Sequence, residues 1–343
     1  MEHSERPPVY YSQYLQLDKI LNAQEPESDK AGIKADDEML FIIIHQTYEL
    51  WFKQVLFELT VIRDIFQQSN IPNNSPDIYN CVHRMKRICK ILEIAVSQMS
   101  VMETMTPLDF LDFRDLLRPA SGFQSIQFKM IEATLGLAYD QRHGKNYYIS
   151  QLNEGDIAKV KEAESNVSLL VLLNKWLERM PYIHDNSYWG TDANTTFWTK
   201  YRAAYAATLM DVEQGNLKNF DMLFSPQGDY PSDRSMSCAA NQSALFIMLY
   251  RDYPLMQLPF ELLSTLLEID ELLSLWRQRH IHMVQRTIGK RVGTGGSSGA
   301  EYLKGAADKH HIFKEIAELN SFLLPRHSLP TLPDALVKDI CFS

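Results

Sequence analysis

Three groups of residues in this 343-residue chain have types and spacings suited to chemistry. In the first, Phe41 and His45 stand four residues apart and so share a helical face, with Tyr48 and Phe52 near the same stripe. An imidazole among aromatic and isoleucine side chains must find a hydrogen-bond partner or stay neutral. It is therefore either a satisfied core histidine or part of the roof over an aromatic ligand. The second group is Trp276-Arg277-Gln278-Arg279-His280-Ile281-His282. On a helix Trp276, His280 and Val284 fall on one face, whereas His282 points about 200° away. No Cys or carboxylate stands beside His280 at metal-ligand spacing, which disfavours an isolated zinc site. A single inward imidazole among aromatics suits axial ligation of a haem iron better, because the porphyrin supplies four further nitrogens. In the third group Phe110 and Arg114 form an i,i+4 pair, setting a guanidinium beside an aromatic surface. That planar fork matches a carboxylate. A salt bridge to Asp109, Asp112 or Asp115 is the competing reading.

Two loops complete the inventory. Gly293-Thr294-Gly295-Gly296-Ser297-Ser298-Gly299 gathers four glycines and three hydroxyl residues just after the histidine-bearing helix. Glycine lets a backbone approach a ligand closely, and hydroxyls can orient a polar group, although a flexible linker has the same composition. The other loop is Pro119-Ala120-Ser121-Gly122-Phe123-Gln124-Ser125.

Helices must position these residues. Asp36-Asp37-Glu38 suits a helix N-terminus, and the chain from Met39 to about Gln67 runs without Gly or Pro, which predicts one long helix. Apolar spacing predicts others over Pro76–Met102, Leu108–Leu117, Phe123–Leu137, Ile157–Met180, Thr195–Asn219, Ala240–Tyr250, Glu261–Gly289 and Lys309–Leu323. Ser225–Ser237 reads as a mobile surface loop and the Pro-punctuated tail after Leu324 as extended packing. No series of alternating strands and no GxGxxG after a strand is present, which disfavours Rossmann-type nucleotide binding. The expected fold is all-α, a single domain over 1–343 with a small helical insertion at about 150–220.

Composition narrows the partners. Hydrophobic residues make up 45% and charged residues 22%, as in a soluble globular protein. A net charge of −9 argues against nucleic acid, whose phosphates require a basic face. The apolar runs fall short of the roughly 18 residues that span a bilayer, and no apolar run follows the charged Met1–Pro8 stretch, so neither membrane insertion nor a signal peptide is expected. Cys81, Cys89, Cys238 and Cys341 are scattered without a CxxC pair, as reduced thiols in a cytoplasmic protein would be.

Taken in order, the segments resemble the signature of the tryptophan 2,3-dioxygenase family. The likeness begins at Tyr11-Ser12-Gln13-Tyr14-Leu15-Gln16-Leu17-Asp18-Lys19-Ile20-Leu21 and passes through Asp37-Glu38, His45-Gln46 and Glu49-Leu50-Trp51-Phe52-Lys53. It continues through Phe110 with Arg114, the PASGFQS loop, the WRxxH run at Trp276–His280 and the GTGGSSG loop. It ends at Phe322-Leu323-Leu324-Pro325-Arg326-His327 and so covers nearly the whole chain. Arg118, where a serine is usual, and Gln278-Arg279 within WRxxH are the departures.

The resemblance implies a helical homotetramer that uses haem b to open the indole ring of L-tryptophan with O2, giving N-formyl-L-kynurenine at the start of the kynurenine pathway. By motif, His280 would be the axial ligand of the haem iron, with Trp276 beside the cofactor. His45 would accept the indole N–H, Phe41 and Phe110 would border the indole, and Arg114 would pair with the substrate carboxylate. Thr294 would bind the ammonium and carboxylate end, and Ser121 would line the distal pocket near the haem. Tyr11, Tyr14 and Leu15, within an N-terminal segment spanning about 1–35, would reach a neighbouring subunit's active site. Related haem enzymes that hydroxylate aromatics or oxidise indoles are the alternative reading, as is a non-catalytic haem or tryptophan sensor.

Overall fold

The computed structural model describes residues 8–68, 75–137, 152–190, 196–224, 230–289 and 310–341, together with Arg142, Arg291, Gly293 and Gly305. Short helices α1 (Tyr11–Tyr14), α2 (Leu17–Leu21) and α3 (Glu27–Ala31) lead into the long α4 (Asp37–Phe66) and α5 (Pro76–Met102). Then come α6 (Pro107–Arg114), α7 (Ile126–Leu135), α8 (Glu154–Ser165), α9 (Leu169–Glu178), α10 (Asn186–Trp189), α11 (Phe197–Thr208) and α12 (Gly215–Phe224). The chain ends through α13 (Cys238–Leu249), α14 (Pro254–Ile288), α15 (Lys314–Glu318) and α16 (Asp334–Ile340). Among the described residues there is no strand, so the chain is all-α.

Three long helices form the frame that carries the site, with α5 packed against both α4 and α14. Their apolar residues recur every three or four positions and turn inward: Phe52, Val55, Leu59 and Ile62 on α4, Val82, Met85, Cys89 and Leu92 on α5, and Leu262, Leu266, Ile269 and Leu273 on α14. Each such side chain contributes about 1.5–3 kcal/mol on burial. Ser75 starts α5 by accepting a hydrogen bond from the Ile78 amide, with Pro76 in the first turn, where it forfeits no intrahelical bond. One buried carboxylate joins α4 to α5: Glu58 accepts from Arg84 at 2.6 Å and Arg87 at 2.7 Å. Burial alone would raise its carboxyl pKa, but the two guanidinium partners outweigh this and lower it.

Several boundaries differ from the sequence expectations for identifiable reasons. The stretch read as one helix over Ile157–Met180 is two, because Asn166 is extended and Ser168 caps α9 by accepting from the Val171 amide. The stretch read over Thr195–Asn219 also divides, at a 3-10 turn over Asp211–Glu213. Helix α14 begins at Pro254, seven residues before the expected Glu261, since Pro254 occupies the first turn and Pro259 removes a single backbone donor. The tail after Leu324 is not simply extended: it forms a 3-10 turn at Arg326–Ser328 and then α16. In the stretch read as a mobile loop, the amides of Ser235 and Met236 donate to Glu315, and Arg234 pairs with Glu315 and Glu318. Those bonds tie residues 230–237 to α15, while 225–229 lie outside the described residues. Between about 150 and 220 the described chain is helical, and its Leu169, Leu173, Trp176, Tyr201 and Tyr205 join the same buried cluster as α4, α5 and α14. All four cysteines are free thiols, and none of the described helices is long and apolar enough to cross a membrane.

Candidate active site

Where α4, α6, α7 and α14 converge, a cavity of about 250 Å³ opens inside the protein. Its lining includes Phe41, His45, Phe110, Arg114, Ser121, Trp276 and His280. Seven of the positions singled out in the sequence, spread over more than two hundred residues, thus meet at one place.

Helix α6 is placed by a capping box in which Thr106 Oγ1 accepts from the Asp109 amide and Asp109 accepts from the Thr106 amide. Phe110 and Arg114, one turn apart, then both face inward, at 9% and 5% exposure. Asp109 is taken up by this cap and Asp115 pairs with Arg118 at 3.2 Å, so the salt-bridge reading of Arg114 finds no support in either. The same pair turns Arg118 outward, and Arg279 turns to Glu103, which leaves neither departure from the family pattern on the cavity wall.

Phe41 packs its ring against His45 at 4.2 Å and stacks on Phe110 at 5.7 Å. The Nδ1 of His45 lies 2.7 Å from the Phe41 carbonyl oxygen. A carbonyl can only accept, so Nδ1 carries the proton and Nε2 of the neutral ring keeps its lone pair. Burial lowers the imidazole pKa, with the Phe41 bond and the Glu49 charge working against it, and the ring is neutral at pH 7.

His280 is also neutral: burial, and secondarily nearby His45, push it down to about 4. Among the described residues its Nδ1 is buried without a hydrogen-bond partner, as is Nε1 of Trp276 one turn earlier. Trp276 sits in an aromatic cage, edge-on to Tyr48 and Phe52 and tilted against Phe128 at 4.8 Å. His282, by contrast, is exposed on the far side of α14, as its angular position predicts. Among the described residues no group of three or more His, Cys, Asp or Glu side chains is placed to hold a metal ion. A neutral imidazole beside an aromatic-walled cavity fits a porphyrin-held iron, which needs only one or two protein ligands.

Ser121 caps the 3-10 turn Gly122–Gln124 by accepting from the Phe123 amide at 3.4 Å, which leaves its hydroxyl proton to donate into the cavity. Gly293, the first residue of the glycine-rich loop, lines the cavity, while Thr294 lies outside the described residues. Tyr11 and Tyr14 are 74% and 75% exposed and Leu15 is half-buried, and none lines this chain's own cavity.

The structure also brings in residues to which sequence reasoning gave no role. Lys129 and Glu132 on α7, Arg277 on α14 and His310 all line the cavity and are buried. Glu132 accepts from Arg277 at 2.7 Å and Arg142 at 2.6 Å, with His310 Nδ1 at 3.2 Å. Burial would raise its pKa, but Arg142, His310 and Arg277 together hold it well below the usual carboxylate range. A carboxyl with a depressed folded pKa contributes stability that is complete above its unfolded value and is lost as pH falls through the folded one. Glu132→Gln is therefore expected to cost about 3–5 kcal/mol at pH 7, because it strands buried cations. Urea unfolding at pH 7 and pH 4 checks this, and the variant should lose less stability than the parent on acidification.

A family model for tryptophan 2,3-dioxygenase matches residues 1–223 and 221–323. A tryptophan 2,3-dioxygenase of Bdellovibrio bacteriovorus is 40% identical over 364 residues, covering 98% of this chain and 99% of the relative. One from Dictyostelium discoideum is 42% identical, covering 98% and 88%, and one from Mus musculus is 38% identical, covering 94% and 84%. With 98% of its length matched in this way, and seven of its signature positions gathered around one cavity, the chain belongs to the tryptophan 2,3-dioxygenase family.

Proposed function

We propose that this protein binds haem b and L-tryptophan in the cavity and, with O2, cleaves the indole C2–C3 bond to give N-formyl-L-kynurenine, the opening step of the kynurenine pathway. The observation that carries the reading is the state of His45: its Nδ1 proton is committed to the Phe41 carbonyl, which leaves Nε2 as an acceptor facing an aromatic-walled cavity. An indole N–H is the complementary donor.

His280 would hold the haem iron, and Trp276 would wall the cofactor. When bound, haem supplies an iron that binds and activates O2. The residues of this chain supply positioning. Phe41 and Phe110 border the indole, His45 receives its N–H, and buried Arg114 pairs with the α-carboxylate through two parallel hydrogen bonds. Ser121 donates its hydroxyl proton into the distal side. Thr294 would engage the ammonium and carboxylate end. A neutral His45 with a depressed pKa is a weak base, so its part is to orient the ring rather than to remove a proton.

The exposed aromatic N-terminus gives the site a second subunit. Tyr11 and Tyr14, with Leu15, would leave solvent by entering a neighbouring copy's pocket within a homotetramer. The enzyme would act in the cytoplasm.

Anaerobic reduction of the haem-loaded protein, followed by O2 and L-tryptophan, tests this reading. The expected product is heavier than tryptophan by two oxygen atoms and has the ultraviolet spectrum of N-formylkynurenine. A gain of one oxygen would identify a monooxygenase, and binding without turnover would identify a sensor.

A further inference from the structure

Glu38 and Gln46 belong to the stretches that carry the family signature, yet neither lines the cavity. Both hold the N-terminal segment instead. The Glu38 carboxylate, at 1% exposure, accepts from the Glu27 amide at 2.9 Å and from the Ser28 amide at 2.8 Å. These are first-turn amides of α3, which follows Pro26 without a capping side chain of its own, so a residue of α4 caps the helix from ten positions along the chain. About two turns further along α4, Gln46 Nε2 donates to the Ala23 carbonyl at 2.9 Å and Gln46 Oε1 accepts from Gln24 at 2.6 Å. Phe41 and His45 lie between these two attachments.

Beyond the clasp the segment is shaped by its own side-chain amides. Gln24 donates to the Ile20 carbonyl at 2.9 Å, Asn22 to that of Asp18 at 2.9 Å and Gln16 to that of Gln13 at 2.6 Å. Gln16 also holds φ at 53°, in the left-handed region that a side chain rarely adopts, at the turn between α1 and α2. Neither α1 nor α2 buries a residue, so this ordering gains little within the chain itself. It has a use where the segment must be presented in a fixed shape, because docking a preformed segment avoids the entropy of ordering it on arrival.

We propose that Glu38, assisted by Gln46, is the positioning residue that sets the take-off of the N-terminal segment, so that it governs tryptophan binding in the neighbouring subunit's pocket rather than in its own. The proposal rests on the reading above in which Tyr11, Tyr14 and Leu15 enter a neighbouring copy, and deepens it. The competing role is local: α3 also packs against the 3-10 turn Asp115–Leu117, which follows directly on Arg114.

Coassembly of full-length variants separates the two roles. Glu38→Gln keeps the size of the side chain but turns an NH2 group towards an amide N–H. Its homotetramers should bind tryptophan on the order of 10-fold more weakly, the size of a lost hydrogen bond to a charged group, with haem content and circular dichroism at the parent values. Gln46→Ala, which touches no buried carboxylate, should show a smaller loss of about 2- to 10-fold and keeps the test open where Glu38→Gln does not fold. Each is then co-expressed with an excess of His280→Ala chains, which carry intact N-terminal segments and no haem. Tryptophan titration followed at the Soret band reports only on the haem-bearing pockets, and their affinity should return to the parent value. The double variant Tyr11→Ala, Tyr14→Ala is the control for the segment itself. Rescue of the control without rescue of Glu38→Gln or Gln46→Ala would confine both residues to their own subunit and overturn the proposal. Parent affinity in both homotetramers would overturn it as well. A control that binds as the parent does, or that is weakened and not rescued, overturns the neighbouring-subunit reading, and this proposal falls with it.

Discussion

His280→Ala is expected to lose haem while keeping its helices. On the assignment of His280 to the iron, its loss should weaken haem binding by more than the ~100-fold typical of losing a ligand's outer hydrogen-bond partner, so the Soret band should vanish from purified protein. The variant should unfold at nearly the temperature of the haem-free parent. The substitution deletes a buried Nδ1 that has no partner among the described residues, and the loss of such a group carries little penalty. External imidazole added to His280→Gly should restore the band. The companion variant makes the test decisive, because two physical criteria disagree. Metal-ligating histidines commonly donate their outer N–H to a carbonyl, which His45 does and His280 does not. The WRxxH motif favours His280. Both rings are neutral and open onto the same cavity. His45→Ala should keep its haem and lose affinity for tryptophan. The opposite pair of results, haem lost from the His45 variant and kept in the other, would exchange their roles.

Much of this arrangement was legible in the sequence because it depends on local spacing. Helix α5 begins and ends where apolar periodicity places it, and α4 differs by a residue or two at each end, since neither contains a break that tertiary structure must resolve. The inward and outward faces of α14 followed from 3.6 residues per turn, which alone separates His280 from His282. The errors arose where a capping side chain interrupts a continuous apolar pattern. Ser168 starts a new helix inside an apparently single one, and Ser125 does the same before Ile126 by accepting from the Phe128 amide. Proline misled in the other direction at Pro259, where one missing donor near the start of a 35-residue helix is tolerated.

The charged wall was illegible for a different reason. Glu132 meets Arg277 across 145 positions and His310 across 178, and no local spacing joins them. One signal was available. Lys129 and Glu132 stand three apart on a helix with buried Ile131, Ala133 and Leu135 around them, so charge occurs where the pattern calls for core. Charge at a core position requires partners, and those partners mark the wall of a cavity.

The last expectation concerns selectivity for a free amino acid. Arg114→Ala should lower kcat/KM for L-tryptophan by about 30- to 1,000-fold, corresponding to roughly 2–4 kcal/mol for a buried charge-assisted pair left half-made. Haem content should not change, because Arg114 is assigned to the substrate carboxylate and His280 to the iron. Tryptamine, which lacks the carboxylate, sharpens the argument. The parent should strongly prefer tryptophan, since tryptamine leaves the place of the carboxylate beside a guanidinium of 5% exposure unfilled. In Arg114→Ala that preference should collapse, because the variant has no cation to strand. Arg114→Lys should recover little, as an ammonium cannot reproduce two parallel hydrogen bonds from a fixed fork. Binding titrations of both compounds against the three proteins decide the point. An unchanged preference in Arg114→Ala would remove the carboxylate from Arg114 and leave Thr294 and the neighbouring subunit's tyrosines as the groups that hold it.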